Sequence, residues 1–168
     1  MNSFKIIGIQ CFGGGFMENR KNLIQSIAIP ILVGLVVGLI IMPFMNYQDL
    51  QKPLFAPPGF LFPIVWTILY ALMGLGYGIL KNKGVLDEEA MRIYWLQLGI
   101  NALWSIFFFV FRWRFFSFIW ILILLFSIIQ MIRIFYKRDK LAAKLQIPYL
   151  IWVIFATYLT LGIYLLNR

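Results

Sequence analysis

The sequence predicts an all-α integral membrane protein, a single bundle of five transmembrane helices, and three observations carry that expectation. Of its 168 residues 62% are hydrophobic and 12% charged, with a mean hydropathy of +0.88, too little polar surface to cover a water-soluble domain. The apolar residues fall in five blocks, at about 22–43, 59–80, 93–111, 115–136 and 146–166. Each is close to the ~20 residues that a helix rising ~1.5 Å per residue needs to cross roughly 30 Å of hydrocarbon. The links between blocks are short, which packs successive helices antiparallel. Residues 22–168 are thus expected to form one domain behind a tail over 1–21.

In the tail, FKIIGIQCF is too short to span and runs into Gly13, Gly14 and Gly15 and then charge. It resembles neither a signal peptide nor a span, and disorder is expected there. A glycine run just ahead of Met17 also fits a translated ribosome-binding site, with synthesis beginning at Met17 rather than Met1. In the first block Pro30 removes the hydrogen bond to the Ser26 carbonyl and should kink the helix. Gly34 and Gly38 there, and Gly74 and Gly78 in the second block, have the small-xxx-small spacing that lets helices approach closely. That spacing serves either packing inside the bundle or a dimer seam.

Between the first two blocks, Pro53, Pro57, Pro58 and Gly59 hold the chain out of helix until about Phe60, because proline fixes φ and cannot donate. Pro63 falls in the first turn of the next helix, where its missing N–H matters little. The result is a stiff flap over one end of the bundle. Residues 81–92 hold three of the six acids and read as a solvated connector, and Lys137–Lys144 as a basic turn suited to anionic lipid. FRWRFF makes a very short turn between blocks three and four. Trp113, Trp95 and Trp120 read as interfacial or lipid-facing indoles.

Eleven of the fifteen Lys and Arg fall on one side of this topology, leaving Lys52, Arg112, Arg114 and Arg168 on the other. The positive-inside rule then places the N-terminus in the cytoplasm and the flap and C-terminus outside, in a bacterial plasma membrane. The basic residues sit at span ends rather than in a patch, so nucleic acid is not an expected partner. Histidine is absent and Cys11 stands alone, which excludes a histidine-ligated metal, a histidine-based triad and an internal disulfide.

Asn101, Trp104, Ser105 and Phe108 lie at i, i+3, i+4 and i+7, an amide, an indole and a hydroxyl on one helical face. Tyr149, Trp152, Ala156 and Thr160 share a face in the fifth block, and the second adds Trp66, Tyr70 and Met73. Helical rise sets Trp66, Trp104 and Thr160 about 10 Å below the flap, with Tyr70, Asn101 and Ala156 near the midplane and Trp152 deeper. Converging, these faces would line an aromatic cavity with a few hydrogen-bonding groups, the usual make-up of an apolar-ligand site. Aromatics at helical spacing also simply fill cores, and periodicity alone does not choose.

KPLFAPPGFLFPIVWTILYALMG, NALWSIFFF and PYLIWVIFATYL resemble, in order and separation, the three signature segments of the TspO/MBR family, the translocator or tryptophan-rich sensory proteins. The resemblance covers roughly residues 30–168. It implies a five-helix membrane bundle, usually homodimeric, with a pocket beneath the first extra-membrane loop for porphyrins, sterol-like lipids and synthetic ligands. By position it implies pocket residues Trp66, Tyr70, Asn101, Trp104, Trp152 and Ala156, with Pro57 and Pro58 in the flap. Members commonly have tryptophan where this chain has Phe55, an acid where it has Trp120 and asparagine where it has Thr160. The family's cholesterol pattern is read only weakly in Leu161, Tyr164 and Arg168.

The favoured expectation is a receptor or carrier for a flat tetrapyrrole such as protoporphyrin IX or haem, or for a sterol-like molecule, with a tetrapyrrole-linked regulatory role. No cofactor is required. Phe108 and Tyr149 join the ligand-lining set, and Lys52, Arg112 and Arg114 are candidates to pair with propionates. Without histidine, haem would lack strong axial ligation. A second class is a light- and oxygen-dependent porphyrin-degrading enzyme, with Trp66, Trp104 or Trp152 exchanging an electron with the excited ligand; no acid–base pair or cofactor motif marks it. A third is a membrane module that binds a protein partner and has no small ligand.

Overall fold

The computed structural model describes residues 7–45 and 47–167, with side chains from Glu18 onward except that of Gln48. Five helices are long and apolar enough to cross a membrane: Glu18–Phe44, Leu61–Asn82, Glu88–Val110, Arg114–Arg138 and Lys140–Leu166. No strand occurs among the described residues. The protein is an all-α integral membrane protein, and each expected block coincides with one of these spans to within a few residues.

The helices are α1 (Ile7–Ile41), α2 (Leu61–Asn82), α3 (Glu88–Ser105), α4 (Arg114–Arg138), a short α5 (Lys140–Lys144) and α6 (Ile147–Leu166). α1 starts well ahead of its membrane-length part, so the backbone from residue 7 to 21 is helical where an unstructured tail is expected. Adding a turn to a helix already formed costs far less than starting one, which carries helix through the glycines. The rest of that tail, residues 1–6 with Met1 among them, lies outside the described residues.

Local chemistry sets the other boundaries. Tight turns from Leu61 N–H to the Pro58 carbonyl and from Phe62 N–H to the Gly59 carbonyl lead into α2. At its far end Gly84 takes φ +67, and the N–H groups of Gly84 and Val85 close on the carbonyls of Lys81 and Leu80. This is a Schellman stop, which needs a residue free to enter the left-handed region. Asp87 caps α3, its carboxylate accepting the Ala90 N–H at 2.9 Å, with Glu88 and Glu89 in the favourable first turn. Asp139 caps α5 in the same way, through the Ala142 N–H at 2.8 Å.

α3 does not end as a plain helix. Residues Ile106–Val110 widen into a π turn, closed by the Phe111 N–H on the Ile106 carbonyl at 3.2 Å. The extra residue in such a turn rotates the side chains beyond it about the helix axis. Phe107 meets Trp113, Phe116 and Trp120 on the α4 side, while Phe108 and Phe109 stay near Trp104. Trp120 departs from its expected lipid-facing place: it is half-buried and its indole donates to the Ile100 carbonyl at 2.9 Å, binding α4 to α3. Trp113 and Trp95 are 55% and 41% exposed.

Round the bundle the neighbours run α2, α1, α3, α4, α6, with α6 returning to α2. The α1–α2 seam is the tightest approach. Pro30 has no N–H for the Ser26 carbonyl. A Cβ placed on Gly74 would overlap that oxygen and lie 2.5 Å from the Ile27 Cα. Gly78 likewise faces Leu23 and Ser26, and Gly34 lies under the Tyr70 ring, where a Cβ would lie 2.5 Å from the ring's Cδ2. Three of the four spaced glycines therefore serve contact within the chain. Gly38 has no atom within 4 Å of an added Cβ.

At the end opposite the proline loop, Lys83 pairs with Asp139, and Arg138 reaches both Asp87 and Glu89, at 2.5 and 2.6 Å. The connector over residues 81–92 is thus tied to the α4–α5 turn rather than merely solvated. The Arg138 hydrogen bonds and the Ala90 N–H hold the Asp87 carboxyl below its usual range, and Lys83 and the Ala142 N–H do the same for Asp139.

Gly74→Ala should lower the thermal midpoint in detergent, because the clash is with backbone and overpacking costs ~1–3 kcal/mol, whereas Gly38→Ala should not. A normal midpoint for Gly74→Ala would disprove the close approach. Carboxylates with lowered values favour the folded state above their unfolded pKa of about 4 and lose that contribution as pH falls through the folded value. Thermal stability should hold from neutral pH to about 5 and fall below 4, and Asp87→Asn with Asp139→Asn should flatten the fall.

Candidate functional site

Successive turns of α3 present Gln97, Asn101, Trp104 and Phe108 to the bundle interior, all buried. Gln97 is not among the expected residues, although it stands one turn before Asn101 on the same face. From α6 the Tyr149 hydroxyl donates to the Gln97 carbonyl oxygen at 2.9 Å, and the Gln97 amide nitrogen faces the Met73 sulfur at 3.7 Å. That link crosses the interior and satisfies both side chains. The Thr160 hydroxyl is satisfied on its own helix, by the Ala156 carbonyl at 2.8 Å.

One turn outward the accounting changes. Asn101 is 0% exposed, and its amide, beside a Tyr149 hydroxyl that is given to Gln97, makes no well-formed hydrogen bond. The buried indole nitrogens of Trp104 and Trp152 also lack one. Unpartnered buried polar groups are rare because each forfeits its hydration. Here two indole donors and a whole amide do so together.

The expected aromatic residues come together in pairs. Trp66 lies 5.6 Å from Tyr70 and 6.2 Å from Tyr149 by ring centroids, and Trp104 stacks on Phe108 at 5.6 Å. Trp152 meets Phe62 at 6.0 Å, and Phe62 meets Tyr47 of the loop at 5.1 Å. Ala156 is buried on the α6 face. The three indoles do not stack on one another; each is met by a phenyl or phenol ring.

A cavity of about 220 Å³ opens at the loop end, lined by Phe44, Tyr47, Asp49, Leu50, Phe108, Phe109, Arg112 and Arg114. Phe108, Arg112 and Arg114 are expected site residues. Trp66, Tyr70, Asn101, Trp104, Tyr149, Trp152 and Ala156 do not line this cavity, which is displaced from the three indoles toward the α1 end and the α3–α4 turn. The reason is packing: Tyr70 lies on Gly34, and Tyr149 reaches across to Gln97, which fills the centre. Tyr47 and Asp49, missed by periodicity, come from the 3₁₀ turn Tyr47–Asp49, too short for a repeat to mark.

The flap closes differently from expectation. Phe55 is 81% exposed with φ +64, the third residue of a turn closed by the Ala56 N–H on the Pro53 carbonyl at 3.2 Å. A positive φ there turns its ring outward, away from the cavity. Pro57 is half-buried and its carbonyl accepts the Tyr47 hydroxyl at 3.1 Å, while Pro58 is exposed. The loop is fastened to α6: Pro53 rests on Gly162, the Tyr158 hydroxyl donates to the Leu54 carbonyl at 2.9 Å, and Asn167 exchanges two hydrogen bonds with the Gln51 backbone, at 2.9 and 3.0 Å. Lys52 lies over the Tyr47 ring, and Arg114 donates to the Asn167 carbonyl at 2.9 Å.

Comparison with known proteins places the chain. Residues 26–166 match the sequence model of the TspO/MBR family. A tryptophan-rich protein TspO from Archaeoglobus fulgidus is 38% identical over 122 residues, covering 72% of this chain and 79% of the relative. A tryptophan-rich sensory protein from Cereibacter sphaeroides is 32% identical, covering 77% and 82%. The human translocator protein is 34% identical, covering 67% and 69%. Five membrane-length helices and this match across nearly the whole bundle establish that the chain belongs to the TspO/MBR family.

Proposed function

We propose that the protein is a membrane receptor or carrier that takes a flat, largely apolar ligand, a porphyrin such as protoporphyrin IX or haem or a sterol-like molecule, into the space beneath the α1–α2 loop. One observation carries the reading: the unpartnered amide of Asn101 with the unpartnered indole N–H groups of Trp104 and Trp152. Buried donors and acceptors without partners are what a ligand's polar atoms would satisfy, and the neighbouring rings are what its flat body would stack on. The names of the relatives, sensory and translocator proteins, fit a receptor or carrier role. The distribution of Lys and Arg supports a loop and C-terminus on the outer side of a bacterial plasma membrane, and the open Gly38 on α1 leaves a seam for a second copy.

As closed, the cavity beneath the loop, about 220 Å³, does not reach Asn101, Trp104 or Trp152, and it falls below the ~300–1,000 Å³ of ordinary ligand sites. Entry of a macrocycle therefore requires the loop to lift from α6.

Intrinsic tryptophan fluorescence, titrated with protoporphyrin IX in the dark in detergent, should quench saturably; quenching without saturation would reject the receptor reading. Asn101→Leu should raise the stability of the ligand-free protein by ~1–3 kcal/mol, since it removes an unpartnered buried amide, while weakening porphyrin about tenfold. Unchanged affinity would remove Asn101 from the site. Asn167→Ala, which frees the loop from two hydrogen bonds, should speed porphyrin association about tenfold; equal rates in stopped flow would show that the loop is not the gate.

A further inference from the structure

Toward the connector end of the interior, away from Asn101, Trp104 and Trp152, two further polar atoms are left over. The Tyr94 hydroxyl and the Gln146 side-chain oxygen have no hydrogen-bond partner among the described residues. Tyr94 is 1% exposed and Gln146 0%. Asn82 carries a third such oxygen, but it stands at the very end of α2, with its amide nitrogen on the Asn19 carbonyl at 2.9 Å.

Helical register brings the first two to one depth. Tyr94 stands three residues before Gln97 on α3, and Gln146 three residues before Tyr149 at the head of α6. Both helices run from the connector end to the loop end, so each step is about 4.5 Å toward the connector. The Tyr149 hydroxyl bonds Gln97 at 2.9 Å and so fixes the two helices one turn nearer the loop. Packing holds both side chains in place. The Tyr94 ring lies against Tyr77 at 4.4 Å and Phe135 at 6.5 Å. The Gln146 amide nitrogen donates to the carbonyls of Ala142 at 3.2 Å and Leu72 at 3.4 Å, and a Cβ on Gly76 would overlap that nitrogen.

The two atoms are chemically complementary. A phenol has a proton to give and an amide oxygen only accepts, yet they do not bond each other. A group that accepts from one and donates to the other satisfies both, and water does this. In the hydrocarbon region an exposed polar group finds no solvent, and buried water held by at least two polar partners is an ordinary structural element.

We infer that the bundle holds a buried water between the Tyr94 hydroxyl and the Gln146 side-chain oxygen. It is a second tie between α3 and α6, which are not neighbours in the ring of helices. Together with the Tyr149–Gln97 bond it closes the connector half of the interior and leaves the loop half to a ligand. The inference is independent of the receptor reading and of any ligand class.

The test starts with Tyr94→Phe in the full chain in detergent, which keeps the ring and its packing and removes the hydroxyl alone. The thermal midpoint should fall by about 2–4 °C, the effect of one hydrogen bond. A rise, the result of deleting an unpartnered buried hydroxyl, overturns the inference. Gln146→Leu removes the acceptor, and in that background Tyr94→Phe should cost nothing. A loss equal to that in the wild type overturns the bridge, because the two sites then act independently.

A direct Tyr94–Gln146 bond gives the same coupling, so the water is read by itself, by water-edited solid-state NMR of the full chain in lipid with isotope-labelled tyrosine Cζ. The Tyr94 signal is assigned by its loss in Tyr94→Phe. It should receive polarisation from water about as fast as that of Tyr136, which is 53% exposed, and the absence of transfer to Tyr94 overturns the inference.

Discussion

The bundle is organised around the seam where α1 gives up a hydrogen bond and α2 gives up a side chain. Pro30 leaves the Ser26 carbonyl without its helical donor, and Gly74 brings an α-hydrogen to the place where a Cβ would collide with that oxygen. Gly78 and Gly34 extend the same contact in both directions. Lipid offers no hydrophobic drive for helices to associate, so close packing of this kind is what holds them together. With α1 and α2 locked, Tyr70 is pressed onto Gly34 and Met73 onto the interior. The ring of helices then closes through α3, α4 and α6.

Inside that ring, polar groups divide into two sets. Ser117, Ser127, Thr157 and Thr160 bond carbonyls of their own helices, Tyr149 bonds Gln97, and Trp120 bonds the Ile100 carbonyl. This is the satisfaction that a hydrocarbon environment enforces. Asn101, Trp104 and Trp152 stand outside it. Buried atoms without a partner also occur on Asn82, Tyr94 and Gln146; toward the loop end they are those of Asn101, Trp104 and Trp152, with the Phe108 ring on Trp104 and the Phe62 ring beside Trp152. A bundle built for stability alone would place leucine at such positions.

The outer end shows the same trade in its backbone. Phe55 and Arg112 both hold positive φ, and α3 loosens into a π turn before the hairpin to α4. These departures bring Phe108, Phe109 and Arg112 to one cavity and turn Phe55 away from it. The loop above is fixed by hydrogen bonds at its surface, by Pro53 on Gly162 and by the buried Tyr47, while Leu54, Phe55 and Phe60 stay exposed, and a segment with so many exposed residues can open locally while the helices stay packed.

Composition and period by themselves determined the membrane class, the five spans, their approximate bounds and the buried face of α3, because a helix in lipid must be apolar over a fixed length and its repeat is short enough to read in one stretch. The stiff loop was equally legible, since proline acts on its own residue and its neighbour. Tertiary structure decided which glycines are consumed inside the chain and which is left open, that Trp120 turns inward, and that Tyr149 bonds Gln97 across the interior. It also decided that the cavity lies against Tyr47 and the α3–α4 turn instead of among the three indoles. Each of these depends on what a neighbouring helix places opposite a residue, and on a π turn and two left-handed residues that no local preference announces. Periodicity names the face of a helix, but only the partner across the gap determines whether that face is filled.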